Sequence, residues 1–183
     1  LERFGFTDQN LSLLPFKLFV SGYDKGKSSQ LNHGIRLSQK HYVWCLHADS
    51  RIRITSNFFN CVDKDGIFYG ALRFSGKPLF LMTLNELGVY LRCRFWGMPF
   101  GDQGFLFSRE LFDKLGGFDE NIKLGESHEL ALRAKSLGFK VVKESYVVTT
   151  SSRKYEQHGW LYVTCYHVIQ TIKQMRSFRR THG

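Results

Sequence analysis

Tyr42-Val43-Trp44-Cys45-Leu46-His47-Ala48-Asp49-Ser50 is the stretch whose reading decides the fold. A short run rich in aromatic and β-branched residues, bounded by polar ones, reads as a buried strand. The run ends abruptly in a His-x-Asp pair. Positions i and i+2 of an extended chain point to the same side. His47 and Asp49 can therefore present an imidazole and a carboxylate together where the strand opens into a loop. In open α/β sheets, ligands bind outside the carboxyl ends of the strands. A carboxylate there can hold a hard divalent cation, and the cation can hold phosphates. The plain alternative is a solvated acid that opens a turn with the help of Ser50.

Outward from this strand, the chain alternates strands and helices. Upstream, residues 16–20 read as a strand and 27–39 as a helix with Leu31 and Ile35 facing inward. Downstream, a short helix follows Thr55, and Lys64-Asp65-Gly66 makes a turn. Residues 67–74 read as a strand. Residues 79–95 read as a long helix with a broad apolar pattern: Leu79, Met82, Leu84, Leu87, Leu91 and Phe95. A short strand at 104–108 leads into a helix at 109–115, with Ser108 as its N-cap and Gly116-Gly117 as its stop. A helix at 126–137 is closed by Gly138, and 139–148 supply one or two last strands. Leu161, Cys165, Val168, Ile172 and Met175 recur at spacings of four and three, widened by Trp160, Tyr162, Tyr166 and Ile169. That is an amphipathic helix with a large apolar face. It either packs onto its own domain or lies on an anionic lipid surface, which aromatics beside Lys and Arg suit.

The 183 residues are enough to bury a sizeable core without metals or disulfides as staples. Hydrophobic residues at 43% and charged residues at 23% fit an ordinary globular domain. No apolar run approaches the roughly 20 residues needed to span a bilayer, and no signal peptide is visible at Leu1-Glu2-Arg3-Phe4. Cys45, Cys61, Cys93 and Cys165 have no C-x-x-C spacing, which argues against a zinc site. Their pattern suits a reducing, cytoplasmic setting, with peripheral membrane contact through the last helix as an option. The net charge of +10 attracts anions. Lys173, Arg176, Arg179 and Arg180 concentrate it near the end, but no nucleic-acid-binding module accompanies them, so no nucleic-acid partner is expected.

Six blocks then share one order along the chain: Gly26-Lys27-Ser28-Ser29-Gln30-Leu31-Asn32-His33-Gly34, the Leu46-His47-Ala48-Asp49 strand end, Gly70-Ala71-Leu72-Arg73-Phe74, Gly101-Asp102-Gln103-Gly104, Leu115-Gly116-Gly117-Phe118, and Glu126-Ser127-His128-Glu129-Leu130. This set resembles the family-2 glycosyltransferases of the GT-A fold, and looks closest to the subgroup with L-H-A-D and G-D-Q-G motifs. Each block alone is weak; ordered over residues 26–153 they are specific. The resemblance implies an α/β fold with a Rossmann-like mixed sheet flanked by helices. It divides the chain into a partial glycosyltransferase-like domain at 1–155 and a C-terminal amphipathic helix with a basic tail at 156–183. It implies transfer of a sugar from a nucleotide-sugar donor to an acceptor hydroxyl, assisted by Mn²⁺ or Mg²⁺. The family's opening strands, which hold the nucleoside, have no match before Phe16, so the expected domain is truncated at its N-terminus.

The resemblance also assigns roles. Asp49 matches the last acid of the D-x-D-type motif and is the expected metal ligand, with His47 on the donor. Lys27, Gln30 and Asn32 match the donor-binding block, and Arg153 matches a basic position suited to diphosphate. Asp102 and Gln103 fall on the acceptor side, where Asp102 is also a catalytic candidate. Glu126 and Glu129 lie in the segment resembling E-D-x-E-L, where the central acid is commonly the base. Ser127 replaces it here, and serine cannot act as a base without a partner. Glu126, just ahead of the helix proper, is the preferred base, while Glu129 can instead pair with Arg133 at i+4. The alternative function is a non-catalytic remnant that binds an anionic partner or a membrane surface.

Overall fold

The computed structural model describes residues 26–54, 65–76, 79–122 and 124–182. The strand expected at 16–20, the unmatched front and the helix after Thr55 lie outside them. Among the described residues the architecture is α/β. The strands are β1 (Tyr42–Cys45), β2 (Arg51–Ile54), β3 (Gly66–Ser75), β4 (Phe105–Ser108) and β5 (Lys140–Ser151). The helices are α1 (Lys27–Leu37), α2 (Leu79–Trp96), α3 (Arg109–Lys114), α4 (Glu126–Ser136), α5 (Arg153–His158) and α6 (Trp160–His182), with a 3-10 turn at Gly101–Gln103.

The five strands form one mixed sheet in the order β1-β4-β3-β5-β2. β3 and β5 run parallel, while the β1–β4, β4–β3 and β5–β2 pairs are antiparallel. β1, β3 and β5 therefore point the same way and finish at one edge. Cys45, the end of β1, pairs with Phe105, the start of β4. Ser75 and Ser151 end β3 and β5 together. This edge carries the site.

One face of the sheet is covered by α1, α3 and α4. Ile67, Tyr69, Phe105 and Phe107 pack there against Ile35, Leu111, Phe112, Phe118, Leu130 and Ala134, all buried. The three phenylalanines Phe107, Phe112 and Phe118 meet ring to ring, Phe107 stacked on Phe112 at 5.6 Å. α3 begins as its sequence dictates: the Ser108 hydroxyl accepts from the Leu111 N–H at 3.1 Å. Phe68, Leu106, Tyr146 and Val148 form the core of the opposite face.

α2 differs from the expected pattern. Its helix is present over nearly the expected span, but of the expected apolar positions whose side chains are described only Met82 is buried, joined by Val89. Leu84, Leu87, Leu91 and Phe95 form an exposed stripe with Phe80. The helix is apolar nearly all round, so periodicity did not reveal which stripe meets the sheet. Two elements were also missed. β2 is a short edge segment of alternating Arg and Ile, and α5 is a six-residue helix directly after β5.

The parallel seam carries one irregularity. Between the Tyr69–Lys143 and Ala71–Val147 pairings, β3 has the single residue Gly70 where β5 has Glu144, Ser145 and Tyr146. The Tyr146 ring fills the space above Gly70, where an added Cβ would lie 2.4 Å from the ring. Its hydroxyl is shared between the carbonyls of Phe68 and Gly104. Gly70→Ala is therefore expected to lower stability by about 1–3 kcal/mol through overpacking. Chemical denaturation would measure it, and an unchanged midpoint would refute the close approach.

Candidate functional site

At the carboxyl edge of β1, β3 and β5, two adjoining cavities of about 1190 and 540 Å³ share Lys27, His47, Asp49, Gly101, Ser127 and Arg153 in their walls. β1 ends at Cys45, so His47 and Asp49 stand in the loop beyond it, closed by a Ser50 N–H to His47 C=O bond of 3.1 Å. Asp49 is exposed, whereas His47 is partly buried and its Nε2 is enclosed without a hydrogen-bond partner. Burial, then the Lys27 charge, holds the His47 ring below the ordinary histidine range, against the opposing charges of Asp49 and Glu126. The ring is thus a neutral imidazole with a free nitrogen, the form that binds metals.

His47 and Asp49, two positions apart in this loop and both on the cavity walls, are the residues that could hold a divalent ion. Among the described residues no group of three or more His, Cys, Asp or Glu side chains is arranged to hold a metal. The nitrogen donor suits Mn²⁺ better than Mg²⁺.

Asp102 sits in the 3-10 turn at the start of β4. The turn is fastened by Gln103, whose amide donates to the Gly70 carbonyl at 2.9 Å and accepts from the Phe100 N–H at 2.9 Å. Gln103 was expected on the acceptor side of the cleft. It is fully buried and holds the backbone instead. Asp102 lines the larger cavity, and its Oδ1 is buried without a partner. Burial pushes its carboxyl from the ordinary 3.8 up to about 6, against the pull of the Arg92, Lys27 and Lys154 charges.

Glu126 stands in the opposite state. Its Oε1 is 2.5 Å from Lys27 Nζ, and the Ser127 hydroxyl donates to the same oxygen at 3.3 Å. Burial acts to raise its carboxyl, but the Lys27 charge and hydrogen bond, with help from its own backbone and Ser127, leave it below the usual range. The choice of Glu126 as base is corrected on this ground: it is an ionised, neutralised partner of Lys27, with little tendency to take a proton. Glu129 is likewise engaged, in a two-pronged pair with Arg133 at 2.6 and 2.7 Å. Arg133 also reaches the carbonyls of Leu115 and Gly117, so this pair ties α4 to the loop after α3. Glu129 is not among the cavity-lining residues.

The donor block divides in two. Lys27 and Gln30 line the cavities, Lys27 both and Gln30 the smaller. Asn32 is buried elsewhere: its amide exchanges two hydrogen bonds with the Phe118 backbone at 2.8 and 2.9 Å and donates to Glu120 at 2.9 Å. Its expected role on the donor is replaced by a structural one, fixing α1 to the loop before α4. Arg153, the first residue of α5, lies exposed on the rim of both cavities, with Lys154 beside it on the larger.

Sequence reasoning missed three residues here. Arg92 projects from α2 to the larger cavity, 3.1 Å from the centroid of the Phe100 ring, and donates to the Met98 carbonyl at 2.8 Å. Burial pulls its guanidinium down to about 10. His128 lies against the Phe100 ring at 4.4 Å between centroids, and burial drives it to about 4. Tyr155 completes the wall from α5. A cation inside an otherwise apolar helix was the available signal for Arg92.

No family model matches the chain, and no curated protein matches it.

The state of Asp102 has a measurable consequence. Folded, it keeps its proton until about pH 6; unfolded, it loses it near pH 4. The native state therefore loses stability as pH rises through that window. Asp102→Asn cannot ionise. It should exceed the parent in stability at pH 8 by on the order of 2 kcal/mol and match it at pH 4. Denaturant titrations at the two pH values decide it; a variant weaker than the parent at pH 8 contradicts the burial of the unpartnered Oδ1.

Proposed function

We propose that the chain is a GT-A-type glycosyltransferase, transferring sugar from a nucleotide-sugar donor to an acceptor hydroxyl. The observation that carries this is the pair of carboxylates with opposed protonation behaviour in one cleft. Asp102 is poised near pH 6, while Glu126 is held ionised by Lys27. Two titratable groups driven apart by their surroundings mark acid–base assignments. Asp102 is then the base that takes the acceptor's proton, since a base works best with a pKa near the operating pH. Lys27, Arg153 and Lys154 form the cationic side, where developing charge on a departing diphosphate is best met. His47 and Asp49 would hold the Mn²⁺ or Mg²⁺, which supplies further positive charge to that leaving group. Gly101 lets the turn close against Ser127, where an added Cβ would meet the hydroxyl at 2.3 Å.

The alternative, a remnant that binds an anion without turnover, is favoured by Ser127, which is buried beside Glu126 and carries no charge. Calorimetry with uridine and guanosine diphosphates, with and without Mn²⁺, tests the donor site. Binding should strengthen with Mn²⁺ in the parent and lose that dependence in Asp49→Asn. Turnover on a panel of nucleotide sugars separates the readings. Asp102→Asn should lower it by roughly 10²–10⁴-fold with diphosphate affinity nearly unchanged. The parent's rate should rise with pH to half its plateau near pH 6. Metal-dependent diphosphate binding without turnover would leave the remnant; metal-indifferent binding would sink both the metal site and the transferase.

A further inference from the structure

α6 is amphipathic in the inverted sense. Its side toward the domain is largely polar. Thr164 reaches Asn85 at 3.3 Å, His167 faces Phe100, and Gln174 bonds His128 and the Leu124 carbonyl. Val163 is its one buried hydrophobe among the described side chains. The apolar residues Leu161, Tyr162, Tyr166 and Ile169 face outward, with Leu161 and Tyr162 each 67% exposed, while Val168 and Ile172 are exposed where the helix borders the larger cavity. α2 lies beside it, joined where the Trp160 indole donates to the Leu81 carbonyl at 3.1 Å. The exposed stripe of α2 adds Phe80, Leu87, Leu91 and Phe95 to the same apolar exterior, with Phe80 at 73% and Phe95 at 71%. Apolar exposure on this scale marks an interaction surface.

We propose that the outward faces of α2 and α6 dock this protein on an anionic lipid surface. Charge selects this occupant. From Trp160 to His182, α6 contains no Asp or Glu. Lys173 is exposed on the same outward arc as Ile169 and Tyr162, Arg176 is exposed where that arc meets the rim of the larger cavity, and Arg179 and Arg180 follow in sequence. The one acid of α2, Glu86, is turned away and occupied by Arg73 and the Phe74 N–H. Apolar residues and aromatics beside uncompensated cations are the composition of an interfacial helix. A second copy of the chain would set the same cations against one another. No helix among the described residues is long and apolar enough to cross a membrane, so the contact is one of lying on the surface. The inner sides of these helices wall the larger cavity, so docking would hold that cavity beside the headgroups.

Co-sedimentation of the full chain with phosphatidylcholine vesicles, with and without phosphatidylserine, tests this. Binding is expected to require phosphatidylserine. It should weaken between about 0.1 and 1 M salt, where the Debye length falls from about 10 to about 3 Å. Lys173→Glu with Arg176→Glu should weaken partitioning roughly tenfold or more, since each cation near the surface contributes about 1 kcal/mol. Ile169→Asp should weaken it independently. All three positions are exposed, and circular dichroism and thermal melts would verify that the variants fold. Binding indifferent to phosphatidylserine and salt overturns the proposal. So does absence of vesicle binding, whether the chain is monomeric or self-associates through Ile169 in light scattering.

Discussion

The seam at Gly70 is the constraint on which the rest depends. β5 has three residues where β3 has one, and the extra length brings the Tyr146 ring over a position that only glycine leaves open. The distortion frees the Gly70 carbonyl from regular pairing and offers it to Gln103. Tyr146 reaches across to Gly104, the next residue of the chain. The C-terminal end of the 3-10 turn at Gly101–Gln103 is thereby fastened twice to the sheet. Asp102, next to those anchors, is held where its Oδ1 is buried and unpartnered. An irregularity in strand pairing thus fixes the position and the protonation of one carboxylate, in keeping with the tendency of bulges to sit beside active sites.

Lys27 is the second organising group, and it works by charge. It pairs with Glu126 and lowers its proton affinity, opposes protonation of His47, and draws Asp102 part of the way back toward ionisation. Desolvation and the Lys27 charge act together at His47 and oppose each other at Glu126 and Asp102, where Arg92 adds to the cation's side for Asp102. Glu126 touches Lys27 and stays ionised. Asp102 feels it at longer range, and burial prevails.

Much of the fold was legible because its signals are local. The strand ending at Cys45, the Ser108 cap, the Gly116-Gly117 stop and the start of α4 each rest on a few adjacent residues. β2 and α5 escaped because β2 alternates Arg with Ile at a sheet edge and α5 buries no residue and has no side-chain cap, so neither offers the apolar run or the N-cap that marked β1, β4 and α3. The site was legible as a set of places more than as a set of roles. His47, Asp49, Lys27, Asp102 and Arg153 do meet around shared cavities. Asn32 and Gln103 are polar residues in glycine-rich blocks, a context that fits ligand contact and backbone fastening equally well. Only their partners across the fold, Phe118 and Gly70, distinguish the two. Glu126 was misjudged for a related reason: its neighbour Lys27 lies 99 positions earlier in the chain.

The helices α2 and α6 mark where periodicity stops informing. A repeat of three and four residues says that a helix has an apolar side, but not that the side is turned inward. For α6 the inward side is chosen by polar partners. Gln174 fits over Gly125, where an added Cβ would lie 2.1 Å from its amide, and meets His128; Thr164 meets Asn85. These contacts fix the rotation of the helix and leave its larger apolar arc to the exterior. The same rotation points Thr164, His167 and Thr171 into the larger cavity. One packing choice therefore sets both which hydrophobes of α6 stay outside and which of its polar groups, Thr164, His167 and Thr171, join Val168, Ile172 and Met175 in the wall of the cavity that Asp102 faces.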